Sequence, residues 1–217
     1  MPEKIKINAQ PRRPRGRPKS VDLAGLEARL VQVARELFFR DGYGATTMSD
    51  IAEAARTSKR TLYARFPSKA ALLRAIVAEQ VESWDTGIHH TPIERCETLQ
   101  QFLLIYGGIV MRAGMSPDFM QLDRILHSES GRFPELAEIA EARARRGVDY
   151  LAANIRAYAE REGVPCNDPE GAAEHFLTTL TGRTAIVVVG NRKVQPEEAS
   201  AWLERVVRRF LGGRYGW

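Results

Sequence analysis

An all-α fold of about nine helices is predicted for this 217-residue chain by three observations. Apolar residues recur at three- and four-residue steps through most of its length. Ser, Thr, Asp and Pro stand where the periodic runs open, and Gly stands where they close. Strand signals are nearly absent: the one β-rich stretch, Ile186-Val187-Val188-Val189, ends a helical run and reads as a buried helix terminus. A composition of 44% hydrophobic and 27% charged residues excludes a disordered or collagen-like chain and is enough for one substantial core or two smaller ones.

The elements follow in order. From Val21 onward Leu23, Leu26, Leu30, Val33, Leu37 and Phe38 lie at helical spacing until Asp41-Gly42 stops the run. Thr47 offers an N-cap, with Asp50 three residues later in near-capping-box position, for a short second helix carrying Ile51, Ala52 and Ala55. Ser58 caps a third helix running to Phe66. Pro67-Ser68 breaks it and starts a fourth from about Lys69 to Trp84. The segment DTGIHHTP reads as a connection, and helices are then expected over 93–113, 116–127, 134–162, 168–189 and 196–211. The organisation expected is a basic arm (1–20), a helix-turn-helix unit with its linking fourth helix (21–85), and a larger helical domain (86–217).

The net charge of +5 is unevenly placed. Lys4, Lys6, Arg12, Arg13, Arg15, Arg17 and Lys19 face only Glu3 in the first twenty residues, while the remainder is nearly neutral. Four prolines and few large apolar side chains keep this arm from burying enough surface to order itself. A basic arm on a neutral body predicts a polyanionic partner, nucleic acid before membrane. Within it Pro14-Arg15-Gly16-Arg17-Pro18 resembles the core of an AT-hook, in which Arg15 and Arg17 enter a narrow minor groove. A generic phosphate-seeking tail is the competing reading.

Two short helices joined by a tight turn make a helix-turn-helix, whose second helix fits the major groove of double-stranded DNA. Here Lys59, Arg60, Thr61, Tyr63 and Ala64 fall on or near its exposed face. Lys59 and Arg60 can reach guanine or phosphate, and Thr57 or Thr61 can offer a methyl to thymine. The hydroxyls of Thr47, Ser58 and Tyr63 and the Lys69 ammonium suit phosphate oxygens.

The stretch TTMSDIAEAARTSKRTLYARFPSKAALLRAIV, residues 46–77, resembles the N-terminal DNA-binding domain of the tetracycline-repressor (TetR) family of bacterial transcription regulators. The marks are Thr47, Ile51-Ala52, Thr61-Leu62-Tyr63, Phe66, and Ser68-Lys69 followed by Leu72-Leu73; Phe38-Phe39, Gly42 and Tyr43 extend the likeness to 26–80. Arg132-Phe133-Pro134-Glu135-Leu136-Ala137 resembles a piece of the C-terminal domain of AcrR-like members. The resemblance implies that Thr47, Tyr63 and Lys69 hold phosphates, that Ser58 to Ala64 present the reading helix, and that the fourth helix links the domains. It also implies a homodimer and a repressor released from a palindromic operator by a small effector. The sequence departs from the family pattern at Arg56, where glycine is usual, at Thr57, where valine is usual, and at Arg60, where a small residue is frequent. Arg56 is expected to cost about 1 kcal/mol unless it leaves the left-handed conformation or meets a phosphate.

In the C-terminal part, Trp202, Leu203, Val206, Val207 and Phe210 share one face of the last helix, and Phe176, Leu177, Leu180 and Ile186 stripe the one before it. The resemblance makes Phe176, Leu180, Trp202, Val206 and Phe210 the expected dimer interface; intrachain core is the alternative. A Met- and aromatic-rich set, with Phe102, Tyr106, Met111, Met115, Phe119, Met120, Leu126 and Tyr150, is either the wall of an adaptable pocket for a lipophilic ligand or ordinary core. Asp123, Arg124 and His127 are possible polar anchors.

Other classes find less support. No Glu-x-x-His pair, GxSxG, Walker loop, GxGxxG or HExxH is present, so neither an enzyme nor a cofactor is expected. Cys96 and Cys166 lack zinc-ligand spacing, and His89-His90 with Cys96 make a weak metal set. With no eighteen-residue apolar stretch and no secretory h-region, the chain is expected in the cytoplasm and away from membranes. An architectural protein of A·T-rich DNA is the alternative function, although it has no use for the large helical second part.

Overall fold

The computed structural model describes residues 20–89, 96–190 and 194–213, with side chains described from 25 to 82 and throughout the two later stretches. Among the described residues there are nine helices and no strand: α1 Ser20–Asp41, α2 Met48–Ala54, α3 Lys59–Tyr63, α4 Lys69–His89, α5 Leu99–Gly114, α6 Pro117–Glu129, α7 Pro134–Glu162, α8 Pro169–Val189 and α9 Pro196–Gly212.

The caps read in the sequence start the helices as expected. Thr47 accepts from the Asp50 backbone N–H while the Asp50 carboxylate accepts from the Thr47 N–H, a complete capping box at α2. Ser58, Thr98, Ser116 and Asp168 cap α3, α5, α6 and α8 through their side-chain oxygens, and Pro occupies the first turn of α6, α7, α8 and α9. Ends differ more. α3 stops at Tyr63 instead of Phe66, α4 runs on to His89 through part of the expected connection, and α5 starts at Leu99 instead of 93. The Ile186–Val189 run is helical, and Val187 is buried, but Ile186 and Val189 are 66% and 87% exposed, so only one side of that terminus is covered. β-branched residues describe a surface that packs, not the side on which it is met.

Two hydrophobic cores organise the chain. The first joins α1 (Leu30, Ala34, Phe38), α2 (Ile51), α3 (Leu62) and α4 (Leu72, Leu73, Ile76). It does not end with these helices: Leu122, Ile125 and Leu126 of α6 and Leu136 and Ile139 of α7 complete it. The second gathers α5 (Phe102, Leu103, Tyr106, Met111), the distal half of α7 (Leu151, Ile155, Tyr158), α8 (Phe176, Leu180) and α9 (Leu203, Val207, Phe210). The first core therefore crosses the boundary at residue 85 drawn from sequence, while the second lies wholly beyond it. A five-residue α3 cannot persist alone, since helix nucleation is costly. Full burial of Leu62, worth about 2 kcal/mol, and the Ser58 cap, worth about 1 kcal/mol, hold it in place.

Candidate nucleic-acid interface and effector cleft

The turn between α2 and α3 sets the first site. The Arg56 N–H donates to the Glu53 carbonyl and the Thr57 N–H to the Ala52 carbonyl, both at 2.9 Å, and Arg56 takes a φ of +50°. The chain thus keeps the left-handed turn with arginine in the usual glycine place. Leu62 and Ile51 are fully buried, which turns the opposite face of α3 outward. Ser58, Lys59 and Arg60 are exposed, Tyr63 is half exposed, and Thr57 and Thr61 are half-buried. Among the described residues, no side chain pairs with those of Arg56, Lys59, Arg60 or Tyr63. Three cations and one phenol are left together on one small surface.

The hydroxyls are less free. The Thr47 hydroxyl is 2.7 Å from the Asp50 carboxylate, and those bonds from Thr47 hold the Asp50 carboxyl below the ordinary carboxylate range. Ser58 and Thr61 share a hydrogen bond of 2.8 Å. These groups shape the interface first.

Lys69 corrects its expectation. Its ammonium donates to the Tyr43 carbonyl at 2.7 Å and lies 4.5 Å from the Tyr43 ring centre and 5.4 Å from that of Phe133. Burial lowers the Lys69 pKa, and the nearby Glu129 and Glu135 carboxylates oppose that shift. The side chain is held inward here, where the expectation had it turned toward a phosphate. It belongs to a seam in which the Glu129 carboxylate accepts from the backbone N–H groups of Tyr43 (2.9 Å) and Gly44 (2.7 Å), and the Tyr43 phenol, its pKa pushed up mainly by burial, donates to Glu135. The end of α6 thereby grips the turn after α1. Sequence reasoning missed this grip, because a lone glutamate at a helix end carries no sign of a partner more than eighty residues away. Arg15 and Arg17 lie outside the described residues.

The second site is a cleft of about 1140 Å³ bounded by α5, α6, α7 and α8, with Val81 of α4 at its edge. Tyr106, Phe119, Met120 and Tyr150 line it, as do Asp123, Arg124 and His127. Met115 lies off the wall. Phe102 and Met111 are buried in the second core and Leu126 in the first, so these three pack the helices together instead of facing the cleft. Helical spacing marked them as apolar without telling wall from core. Leu177, Ile109 and Arg143 were missed. The arginine stands in an Arg-Ala-Arg-Arg run that reads as a solvated face.

The expected dimer residues also need correction. Phe176 and Leu180 are fully buried, Phe210 nearly so, and Trp202 and Val206 pack against the same second core. Their partners are the distal half of α7, whose Leu151, Ile155 and Tyr158 share the core, and α5, where a Cβ on Gly107 would lie 2.8 Å from Leu203 Cδ1 and 3.4 Å from Phe176. α8 leaves Gly182, Ala185, Ile186 and Val189 exposed; Gly182, Ala185 and Val189 border the cleft, and Ile186 lies outside its lining. Among the described residues no group of His, Cys, Asp and Glu is arranged to hold a metal, and no helix is long and apolar enough to cross a membrane.

Two family models match this chain. One, described as bacterial regulatory proteins of the tetR family, covers residues 30–76, and the other, described as the C-terminal domain of AefR-like transcriptional repressors, covers 98–216. The HTH-type transcriptional regulator QacR of Staphylococcus aureus is 31% identical over 84 residues, 39% of this chain and 44% of QacR. The chain therefore spans less than half of that relative. The HTH-type transcriptional regulator EthR of Mycolicibacterium smegmatis is 24% identical over 216 residues, covering 96% of this chain and 95% of EthR. Among solved structures, the flavonoid-responsive regulator FrrA superposes with a TM-score of 0.72 at 29% identity over 88% of this chain and 97% of FrrA.

Proposed function

The chain belongs to the tetR family of bacterial regulatory proteins, and from that membership we propose that it is a DNA-binding transcriptional repressor, acting as a homodimer on a palindromic operator and released by a small lipophilic ligand. The observation that carries the reading is the cluster of Arg56, Lys59, Arg60 and Tyr63, exposed and unpaired on a capped helix whose other face is locked by Leu62. Cations without a hydrogen-bond or ion-pair partner among the described residues are available to phosphate and guanine, and a phenol at the same edge can donate to a phosphate. Two copies related by a two-fold axis set two such helices about 34–36 Å apart, one turn of DNA. The side of α8 that exposes Ile186, next to the cleft-bordering Val189, is the surface this reading assigns to the second copy.

The cleft supports the effector half. Its volume is at the upper end for small-molecule sites, and its Tyr, Phe, Met and Leu lining suits an apolar, aromatic-compatible ligand. FrrA is described as flavonoid-responsive, which agrees with a ligand of that character. A ligand that binds one dimer geometry more tightly shifts the population away from the geometry that matches the groove spacing. Because Val81 borders the cleft, α4 is the element that carries the change to the reading helices.

The test is to sequence DNA selected by the purified chain with and without lipophilic compounds. One palindromic motif, with retention lowered by at least one compound, is the expected outcome. Diffuse enrichment of A·T-rich DNA points instead to an architectural protein, and a motif that no compound releases removes the effector half.

A further inference from the structure

Three carboxylates and four guanidiniums border the cleft. Two of the carboxylates are already answered: Asp123 Oδ1 accepts from Arg143 Nη2 at 2.5 Å, Asp123 Oδ2 lies 3.3 Å from His127 Nδ1, and Glu141 faces Arg145 at 3.6 Å. Among the arginines Arg143 stands apart. Its side chain is only 12% exposed, whereas Arg124, Arg145 and Arg146 are exposed. Its guanidinium lies 4.9 Å from the ring centre of Phe119, a wall residue that strips water from it. Nη1 is buried, and among the described residues no group accepts from it. A guanidinium carries five donors in a fixed fork, and Asp123 uses only the Nη2 side. A buried donor without an acceptor is disfavoured until an acceptor is supplied.

We propose that the effector is an amphipathic anion. Its apolar body lies along Tyr106, Phe119, Met120 and Leu177, and an anionic oxygen of carboxylate, sulfonate or phenolate type is received by Arg143 in competition with Asp123. This rests on the reading of the cleft as the effector site. A cationic effector finds less in the same geometry, since Asp123 is already covered by Arg143 and His127 and Glu141 faces Arg145, which leaves the exposed Glu174 against four arginines. Arg143 also borders a smaller hollow of about 370 Å³ between α4 and α7, together with Val77, Val81 and Arg146. The anion receptor therefore sits in the wall that the cleft shares with α4, and turning its guanidinium toward a ligand changes what α4 rests on.

The experiment titrates the full chain with two fluorescent probes of the same ring system, anilinonaphthalenesulfonate and the neutral phenylnaphthylamine. Arg143→Gln is expected to weaken the sulfonate about tenfold and leave the neutral probe within about twofold. Asp123→Asn, which removes the competing carboxylate, is expected to tighten the sulfonate several-fold. Both substitutions break the same ion pair, so a purely structural pair shifts both variants in one direction and treats both probes alike; that result overturns the proposal. If Arg143→Gln fails to fold by circular dichroism, Asp123→Asn decides alone: tightening supports the proposal, and no change or weakening overturns it. Neutral-probe binding without any response of the sulfonate to either substitution overturns the anion and leaves the effector site standing. Failure of both probes to bind the unsubstituted chain removes the effector site as well.

Discussion

Arg56 holds a backbone conformation that costs an L-residue about 1–2 kcal/mol, and nothing within the described residues repays it. The strain is tolerable if its guanidinium serves a phosphate. Arg56→Gly should therefore raise stability by about 1 kcal/mol in thermal denaturation, while together with Arg60→Gly it flattens the salt dependence of DNA binding by about one unit per lost phosphate contact. A double variant with an unchanged salt slope would sink the DNA role of this pair. Asp50 gives a pH dependence. Its carboxyl titrates below the ordinary range because Thr47 hydrogen-bonds the charged form, so its support for α2 is complete above the unfolded carboxylate pKa. That support is lost as pH falls through the lowered folded value, and amide shifts of α2 followed by NMR should report loss in that acid window and none near neutrality. The cap was legible because Thr and Asp three residues apart are a local code. The inward turn of Lys69 was not, since it depends on a carbonyl and two rings brought up by distant chain.

At the scale of elements, the grip of α6 on the turn after α1 is the contact most open to test. A Cβ on Gly44 would lie 2.8 Å from Glu129 Oε2 and 3.2 Å from Phe133, so Gly44→Ala should push the carboxylate off both backbone donors. Glu129→Ala removes it outright. Each variant is expected to lose about 2 kcal/mol in denaturant unfolding, two partly exposed charge-assisted bonds being involved. Unchanged midpoints in both would mean that the seam contributes nothing. α8 makes the contrasting case. Its periodicity revealed an apolar stripe, and the stripe proved to serve α7 and α5, because hydrophobic spacing says that a face will be covered without naming what covers it. Ile186 was placed in that stripe too, but it stands 66% exposed, because a spacing of four to six residues spreads the stripe beyond the side that the core covers.

At the scale of the molecule, α7 joins the two cores. Its 29 residues extend about 43 Å, with Leu136 and Ile139 set in the first core and Leu151, Ile155 and Tyr158 in the second. Melting one core frees one end of the helix that the other needs, so calorimetry should record a single transition with matching calorimetric and van't Hoff enthalpies. Two resolved transitions would contradict this coupling. Assembly is tested at the same scale: Ile186→Glu places a charge on a side chain already 66% exposed, so folding should be kept while light scattering falls from dimer to monomer mass and operator affinity drops sharply. Fold class, helix order and the capped third helix were all legible from local spacing. The division into cores was not, since it is a property of three-dimensional neighbours.

The shared first core has a consequence for anyone building hybrid sensors. Cutting between α4 and α5 and attaching a foreign effector domain replaces Leu122, Ile125, Leu126, Leu136 and Ile139, five of the side chains that close the core beneath the reading helix. The graft would leave the recipient's helices facing a surface shaped for another protein. The part of this chain that can be exchanged without that damage is the lining of the cleft, residue by residue, with α6 and the opening turns of α7 travelling with the DNA-binding unit.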